Sequence, residues 1–391
     1  MSLSTEKRRP LQMALIGGGG AGFIGKVHAT AATLDRQAEL VAGALSSNPE
    51  RSRASAAEMG IADDRAYGSV DELLAGELER DPNDRVDFIS IATPNHTHCA
   101  IACAALRAGF HVVCDKPMTI TMEEAEAMIA AAEASSRVFA LTHNYSGYPM
   151  IRQAREMIAS GEVGDLLAVR ANYLQGWMHG MEANSQPARG AWKSDPTKNG
   201  RAGSLGDVGT HAFHLVQFVS GLTPVSLLSR MKSFSDHHEL DDYGHALVEF
   251  EDDATGLVTW SQMTHGRLND LSLEVDGTKA SLSWRQEEPN QLVVRALGQP
   301  TKIFERNPNA EYSLPDAIAA CRLPGGHPEA FFEAFANVYR DAFTDMRRIQ
   351  QGQKIDARSS LYPSVYDGAD GVRFMTRCLE SSDCKSTWTA W

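Results

Sequence analysis

The sequence predicts an α/β protein in two parts, and three observations carry that prediction. Short apolar runs alternate with helical patterns over the first 145 residues, and a glycine-rich turn follows the first run. From about residue 146 the strands lengthen and alternate apolar with polar residues. Runs buried on both faces and separated by helices make a parallel, doubly wound sheet. Alternating strands joined by tight acidic turns make an antiparallel one. The expected division is a doubly wound unit over 10–145 and an α+β unit with a large, mainly antiparallel open sheet over 146–391. The tail from about 356 is expected to pack back on the first unit.

The elements follow in order. "LQMALIG" (11–17) reads as a buried strand and "GFIGKVHATAATLD" (22–35) as the helix leaving the glycine turn. "AELVAGAL" (38–45) is the next strand, and Asn48-Pro49 is a natural helix start. "VDELLAGELER" (70–80) is an amphipathic helix. "VDFISIAT" (86–93) and "HVVCDK" (111–116) are apolar runs ending in polar residues, with a helix over 97–108 between them. "TMEEAEAMIAAAEASS" (121–136) has a Thr cap and early carboxylates, and "RVFALTHN" closes the sheet. Beyond the helix over 150–164 come "LLAVRANYLQ", "VSLLSRMKSF", "HALVEFED", "GLVTWSQMT", "LSLEVDGTKASLSW" and "QLVVRAL". Asp252-Asp253 and Asp276-Gly277 suit hairpin turns between them.

Bulk properties narrow the function. The 391 residues suffice for two cores, and 43% hydrophobic with 22% charged residues is the balance of a globular protein. A net charge of −13 argues against a nucleic-acid or anionic-membrane partner. No apolar run reaches the ~20 residues that span a bilayer, and the N-terminus lacks the apolar core of a signal peptide. Six scattered cysteines form no C-x-x-C pair and fit a reducing compartment, so a cytoplasmic location is expected.

The chemistry begins at "ALIGGGGAGFIGKVHA" (14–29). A strand, glycines and a helix in succession form a dinucleotide cradle, in which backbone N–H groups and the helix dipole meet a pyrophosphate. The expected register is Gly17, Gly19 and Gly22, with Phe23 and Ile24 beside the cofactor and Gly25 in helix–strand packing. The second strand ends in Ser46 and Ser47, with Arg51 downstream, where a carboxylate for the ribose is usual. Serine with arginine suits a 2′-phosphate, and serine also bonds ribose hydroxyls, so both NAD and NADP fit. Lys116 lies at a strand's carboxyl end, the usual ligand crevice of such sheets. His211, with an ordinary pKa near ~6.5, suits proton transfer at neutral pH, and Asp207 lies four residues before it on a helical spacing. His211 and His214 form H-x-x-H, but without a third ligand no metal is expected. His327, at the mouth of a glycine loop, is a further candidate ligand, whereas Phe331, Phe332 and Phe335 read as core.

Four motifs in order give a family likeness over roughly 11–345. After the glycine turn come "SIATPNHTH" (90–98), "CDKP" (114–117) and "AGSLGDVGTHAFH" (202–214). They resemble the T-P-N-x-x-H, E-K-P and G-G-x-x-x-D-x-G-x-H of the Gfo/Idh/MocA oxidoreductases. Asp115 stands for the usual glutamate and Ser204 for a glycine. The resemblance implies a Rossmann fold, a hydride-transferring dehydrogenase for a sugar, inositol or related polyol, and NAD or NADP as cofactor. It implies Lys116, Asp207 and His211 as catalytic residues, with His211 accepting the proton and Lys116 polarising the oxygen, or the reverse. It places Thr93, Pro94, Asn95 and His98 at the nicotinamide, and Asn144, Tyr145, Trp177, Trp192 and Lys193 at the substrate. It also implies a cis Lys116–Pro117 bond. A large antiparallel sheet with an apolar open face would suit a homodimer or homotetramer. Two alternatives remain: a member using transient oxidation for hydrolysis or elimination, and a non-catalytic NAD(P)- or sugar-sensing regulator.

Overall fold

In the computed structural model, which describes residues 9–20, 22–178, 195–236 and 239–391, the first apolar runs form five parallel strands. They are β1 (Leu11–Gly17), β2 (Ala38–Ala44), β3 (Phe88–Ala92), β4 (His111–Cys114) and β5 (Phe139–Leu141), in the spatial order β2-β1-β3-β4-β5. Every residue of β3 and β4 is buried, which explains their unbroken apolar character. The order reverses direction at β1, so β1 and β3 diverge into a crevice at their carboxyl ends. Helices α1 (Phe23–Thr33), α2 (Pro49–Glu58), α3 (Val70–Glu79), α4 (His98–Arg107) and α5 (Met122–Ser135) connect them. Asn48, Ser69 and Thr121 accept backbone N–H bonds at the starts of α2, α3 and α5, as the sequence predicts for Asn48 and Thr121.

Helix α6 (Pro149–Ala159) leads to the second sheet, whose order is β13-β12-β11-β10-β6-β9-β8-β7-β14. Its strands are β6 (Leu166–Leu174), β7 (Pro224–Lys232), β8 (Tyr243–Phe250), β9 (Thr255–Ser261), β10 (Asp270–Gly277), β11 (Ala280–Arg285), β12 (Gln291–Ala296), β13 (Lys302–Glu305) and β14 (Thr389–Ala390). Strand β6 runs parallel to β9, and the other neighbouring pairs are antiparallel. Alternate side chains of β8 are buried, and α8 (Thr210–Ser220) packs on β6, β9 and β10. The outward face is mixed rather than apolar: Leu247 stands among His245, Glu249 and the Arg170–Glu274–Asp276 ion pairs.

The chain returns to the first sheet earlier than residue 356. Helix α10 (Phe331–Gln350) follows the short α7 (Pro196–Asn199) and α9 (Pro315–Ala320) in chain order and packs against α1. Its Phe335, Tyr339, Phe343 and Met346 share one buried cluster with Leu11, Met13, Leu15 and Phe88. Phe335 therefore belongs to a core built jointly by both halves of the chain. Arg322 secures the approach with two bonds to Asp35 of 2.7 and 2.5 Å. Helix α11 (Val365–Asp383) then lies between α5 and β7.

Candidate active site

A cavity of about 1050 Å³ opens where the carboxyl ends of the first sheet meet the second. On one side it is lined by Gly18, Gly19, Gly22, Phe23, Ile24 and Leu45. Gly17 does not reach it: its φ is +79° and an added Cβ would lie 2.6 Å from the Ala92 carbonyl oxygen. Gly18, with φ +72°, takes the lining position and lies so close to Gly25 that a Cβ would stand 2.4 Å from the Gly25 Cα. The glycine surplus is thus a backbone-to-backbone contact between the turn and α1, whose N-terminus faces the cavity.

Ser46, Ser47 and Arg51 do not line the cavity, where Leu45 is the last residue of that strand end. The Ser46 hydroxyl instead accepts the Asn48 N–H at 3.2 Å, within the turn that starts α2. Thr93, Pro94 and Asn95 line the next stretch, and the Asn95 amide bonds Asn199 at 2.7 Å. His98 is fully buried behind them, outside the lining. Its ring bridges the Thr93 carbonyl at 2.8 Å and the Pro117 carbonyl at 3.0 Å, bracing two strand-end turns. His327 is exposed and away from the cavity, and its carbonyl accepts from Arg306. Phe331 and Phe335, read from sequence as core, do line the cavity. Trp192 and Lys193 lie outside the described residues.

The opposite wall carries the ionisable groups. Lys116 follows β4, and its bond to Pro117 is cis. Its Nζ donates to the Asp207 carboxylate at 2.8 Å and to the Asp207 backbone carbonyl at 2.7 Å. Asp115 also lines the cavity and accepts from the Lys116 N–H and the Thr142 hydroxyl at 2.9 Å each, so the shorter carboxylate still holds the turn. Asp207 sits in a π-helical turn, Leu205–Gly209, immediately before α8. Such widened turns recur at functional sites, and here both Asp207 and His211 face the cavity. Buried Asp241 fixes this turn, accepting from the N–H groups of Gly203 (2.6 Å) and Leu205 (2.8 Å) and from Trp260 (2.9 Å). Burial pushes the Asp241 carboxyl up to about 6, against the pull of those bonds.

Ser204, the departure from glycine, has a local purpose. Its hydroxyl donates to Gln262 at 2.9 Å, and the Gln262 amide donates to the second Asp207 oxygen at 2.7 Å. From Gln262 a belt of amides and phenols runs through Gln175, Asn269, Tyr173 and Tyr145, with contacts between 2.5 and 3.3 Å. Asn144, Tyr145 and Trp177 line the cavity, and Trp177 donates to Gln175 at 3.0 Å. His211, only 6% exposed, is set against the Tyr145 ring at 4.8 Å. Burial, reinforced by the Lys116 charge, holds its imidazole well below the ordinary histidine pKa, so it is neutral at neutral pH.

Sequence reasoning missed Tyr173, Gln175, Gln262, Asn269 and Asp241, which only the folded second sheet assembles. It also missed His143, which contacts His211 directly. Its signal was available, since His143 follows β5 as Lys116 follows β4. Among the described residues no cluster of three or more potential ligands could hold a metal ion, and no helix is long and apolar enough to cross a membrane.

Known proteins match this arrangement from end to end. Residues 11–143 match the model of the oxidoreductase family with an NAD-binding Rossmann fold, and residues 151–283 match the GFO/IDH/MocA C-terminal domain. The uncharacterized oxidoreductase YfiI of Bacillus subtilis is 30% identical, over 99% of each chain. Levoglucosan dehydrogenase of Pseudarthrobacter phenanthrenivorans is 28% identical over 73% of this chain and 76% of its own. Among solved structures, an inositol dehydrogenase homolog from Azotobacter vinelandii complexed with NAD+ superposes with a TM-score of 0.92, at 36% identity and 98% coverage of both chains. The same homolog with NADH and myo-inositol gives a TM-score of 0.90 at 36% identity, again over 98% of both chains. The glycine cradle, the Lys116–Asp207 pair and the two-sheet plan therefore belong together: the chain is a member of the GFO/IDH/MocA family, an oxidoreductase with an NAD-binding Rossmann domain.

Proposed function

We propose that this protein is an NAD(P)-dependent dehydrogenase for a secondary alcohol of a sugar, inositol or related polyol. The observation that carries the reading is one cavity holding a glycine-lined cradle on one wall and Lys116, Asp207 and His211 on the other. Relatives solved with myo-inositol or with levoglucosan support the polyol class.

Gly18, Gly19, Gly22 and the N-terminus of α1 fit a pyrophosphate, and Thr93, Pro94 and Asn95 would flank the nicotinamide end. When bound, the nicotinamide exchanges a hydride with the substrate carbon. The proton of the reacting hydroxyl is left to the protein. Lys116 has three N–H donors, two of them on Asp207, which leaves the third for the substrate oxygen. Neutral His211 accepts the proton while the Lys116 ammonium polarises the oxygen; in reduction the proton returns by the same route. The belt of Tyr145, Tyr173, Gln175 and Asn269 offers hydroxyl partners, and Trp177 offers a flat face for ring C–H groups. We also assign the open face of the second sheet, where exposed Leu247 stands among charged residues, to contact with a second copy; a monomer by light scattering at micromolar concentration would refute that assignment.

The test is cofactor reduction by a panel of sugars and polyols with NAD+ and with NADP+. Lys116→Ala and His211→Ala should each lower kcat by about 10²–10⁴-fold while leaving cofactor affinity within about twofold. Tight cofactor binding without reduction by any substrate would sink the dehydrogenase reading and favour a sensor. Water-dependent bond cleavage without net reduction would favour transient oxidation.

A further inference from the structure

We propose that His143 is the positioning residue that holds His211 in the tautomer able to accept the substrate proton. The inference rests on the dehydrogenase reading above and adds a residue that none of the family motifs contains.

The geometry is specific. His143 is 1% exposed, and its Nδ1 lies 3.2 Å from the Nδ1 of His211, with the rings 78° apart. A contact between two ring nitrogens needs one proton between them, so one imidazole donates and the other accepts. The two tautomers are therefore locked to each other. If His211 accepted at Nδ1, its Nε2 would carry a hydrogen and could not take a proton from a hydroxyl. If His211 donates at Nδ1, its Nε2 is the bare nitrogen that catalysis requires.

His143 is held in place for this contact. Its ring stacks on His214 with centroids 4.5 Å apart and planes 11° apart. Its backbone is fixed at the start of the turn Asn144–Gly147, where its carbonyl accepts the Ser146 hydroxyl at 2.9 Å. The charged and titratable groups facing the pair are Lys116, Asp207 and Asp115 on the His211 side, Tyr145 and Tyr173 around its ring, and His214 behind His143. Burial and the nearby cationic groups keep both imidazoles neutral at rest. When His211 gains the substrate proton at Nε2, its Nδ1–H becomes a charge-assisted donor to His143. That bond strengthens as the proton arrives, which is the condition for speeding the chemical step rather than merely binding substrate.

The experiment compares wild type, His143→Leu and His143→Asn, measuring kcat and KM for the best polyol across pH, together with NADH affinity. Leucine removes the acceptor, whereas the asparagine carbonyl oxygen falls near the position of the histidine Nδ1 and can only accept. His143→Leu should lose about 10–100-fold in kcat with KM and NADH affinity within about threefold, and its acid limb should move to lower pH. His143→Asn should recover most of the loss. Equal damage in both variants with an unmoved pH profile, or no damage in either, overturns the proposal while leaving the dehydrogenase reading intact. Histidine-selective ¹⁵N NMR of the wild type tests it without turnover: His211 should be protonated at Nδ1 and bare at Nε2, and the opposite tautomer refutes it even if His143→Leu fails to fold or no substrate is found.

Discussion

The two walls of the central cavity are built on opposite principles. The cradle wall is centred on backbone: Gly18, Gly19 and Gly22 leave the main chain bare there, with Phe23, Ile24 and Leu45 beside them. The wall facing it is made of side chains, and its members come from the residues after β4 and β9, the π-turn, α8, β6 and the approach to β10. Bare main chain in close contact tolerates almost no added atom, whereas a wall of linked side chains spreads its load over a network. The difference teaches where each kind of substitution should hurt.

The largest effect should come from adding one methyl to the cradle. Gly18→Ala places a Cβ against Gly25 at a positive φ, so it should cost about 2–4 kcal/mol of stability and weaken NAD+ binding more than tenfold. Thermal unfolding and cofactor titration read both; wild-type values would mean the two walls do not differ as described. Next comes the network. Gln262→Leu removes a bond to the Asp207 carboxylate and should lower kcat/KM about 10–100-fold with cofactor affinity unchanged. Ser204→Gly, which frees the Gln262 amide without removing it, should cost less than Gln262→Leu in the same assay.

A smaller effect follows from pH. His211 must be unprotonated to accept a proton, and burial with the Lys116 charge depresses its pKa below the ordinary ~6.5. Activity should therefore stay level as pH falls from about 7.5 to 6.5 and decline only below that range. A kcat/KM profile already falling at about pH 7 would contradict the buried, neutral imidazole. The smallest effect belongs to Arg51, which lies outside the cavity. Arg51→Ala should change the affinity for NAD+ and for NADP+ by less than about twofold. A large selective loss for NADP+ would bring Arg51 back to the cofactor.

The same contrast governs what could be read from the sequence. The five parallel strands, the capped helices and the glycine turn are local patterns, so their positions were legible. Lys116, Asp207 and His211 were legible through strand-end position and motif. The register within the turn was not, because it depends on Gly18 meeting Gly25 across the strand–helix junction rather than on spacing. His98 and His327 misled for a common reason: both sit beside site residues in sequence, but one turns inward to bridge two carbonyls and the other faces solvent. Gln262 and Asn269 carried no signal at all, since only the pairing of β6 with β9 and β10 brings them next to Gln175.

Helix α10 has a practical consequence for anyone cutting this chain. Its Phe335, Tyr339, Phe343 and Met346 cover Leu11, Met13, Leu15 and Phe88 from nearly two hundred residues beyond the first sheet's last strand. An expression fragment ending near residue 145 would present that apolar surface to water and should aggregate. A transplantable nucleotide-binding module from this protein would have to be spliced, joining 9–145 to 331–350 through a new linker. The first core therefore closes only once α10, far along the chain, has been synthesised.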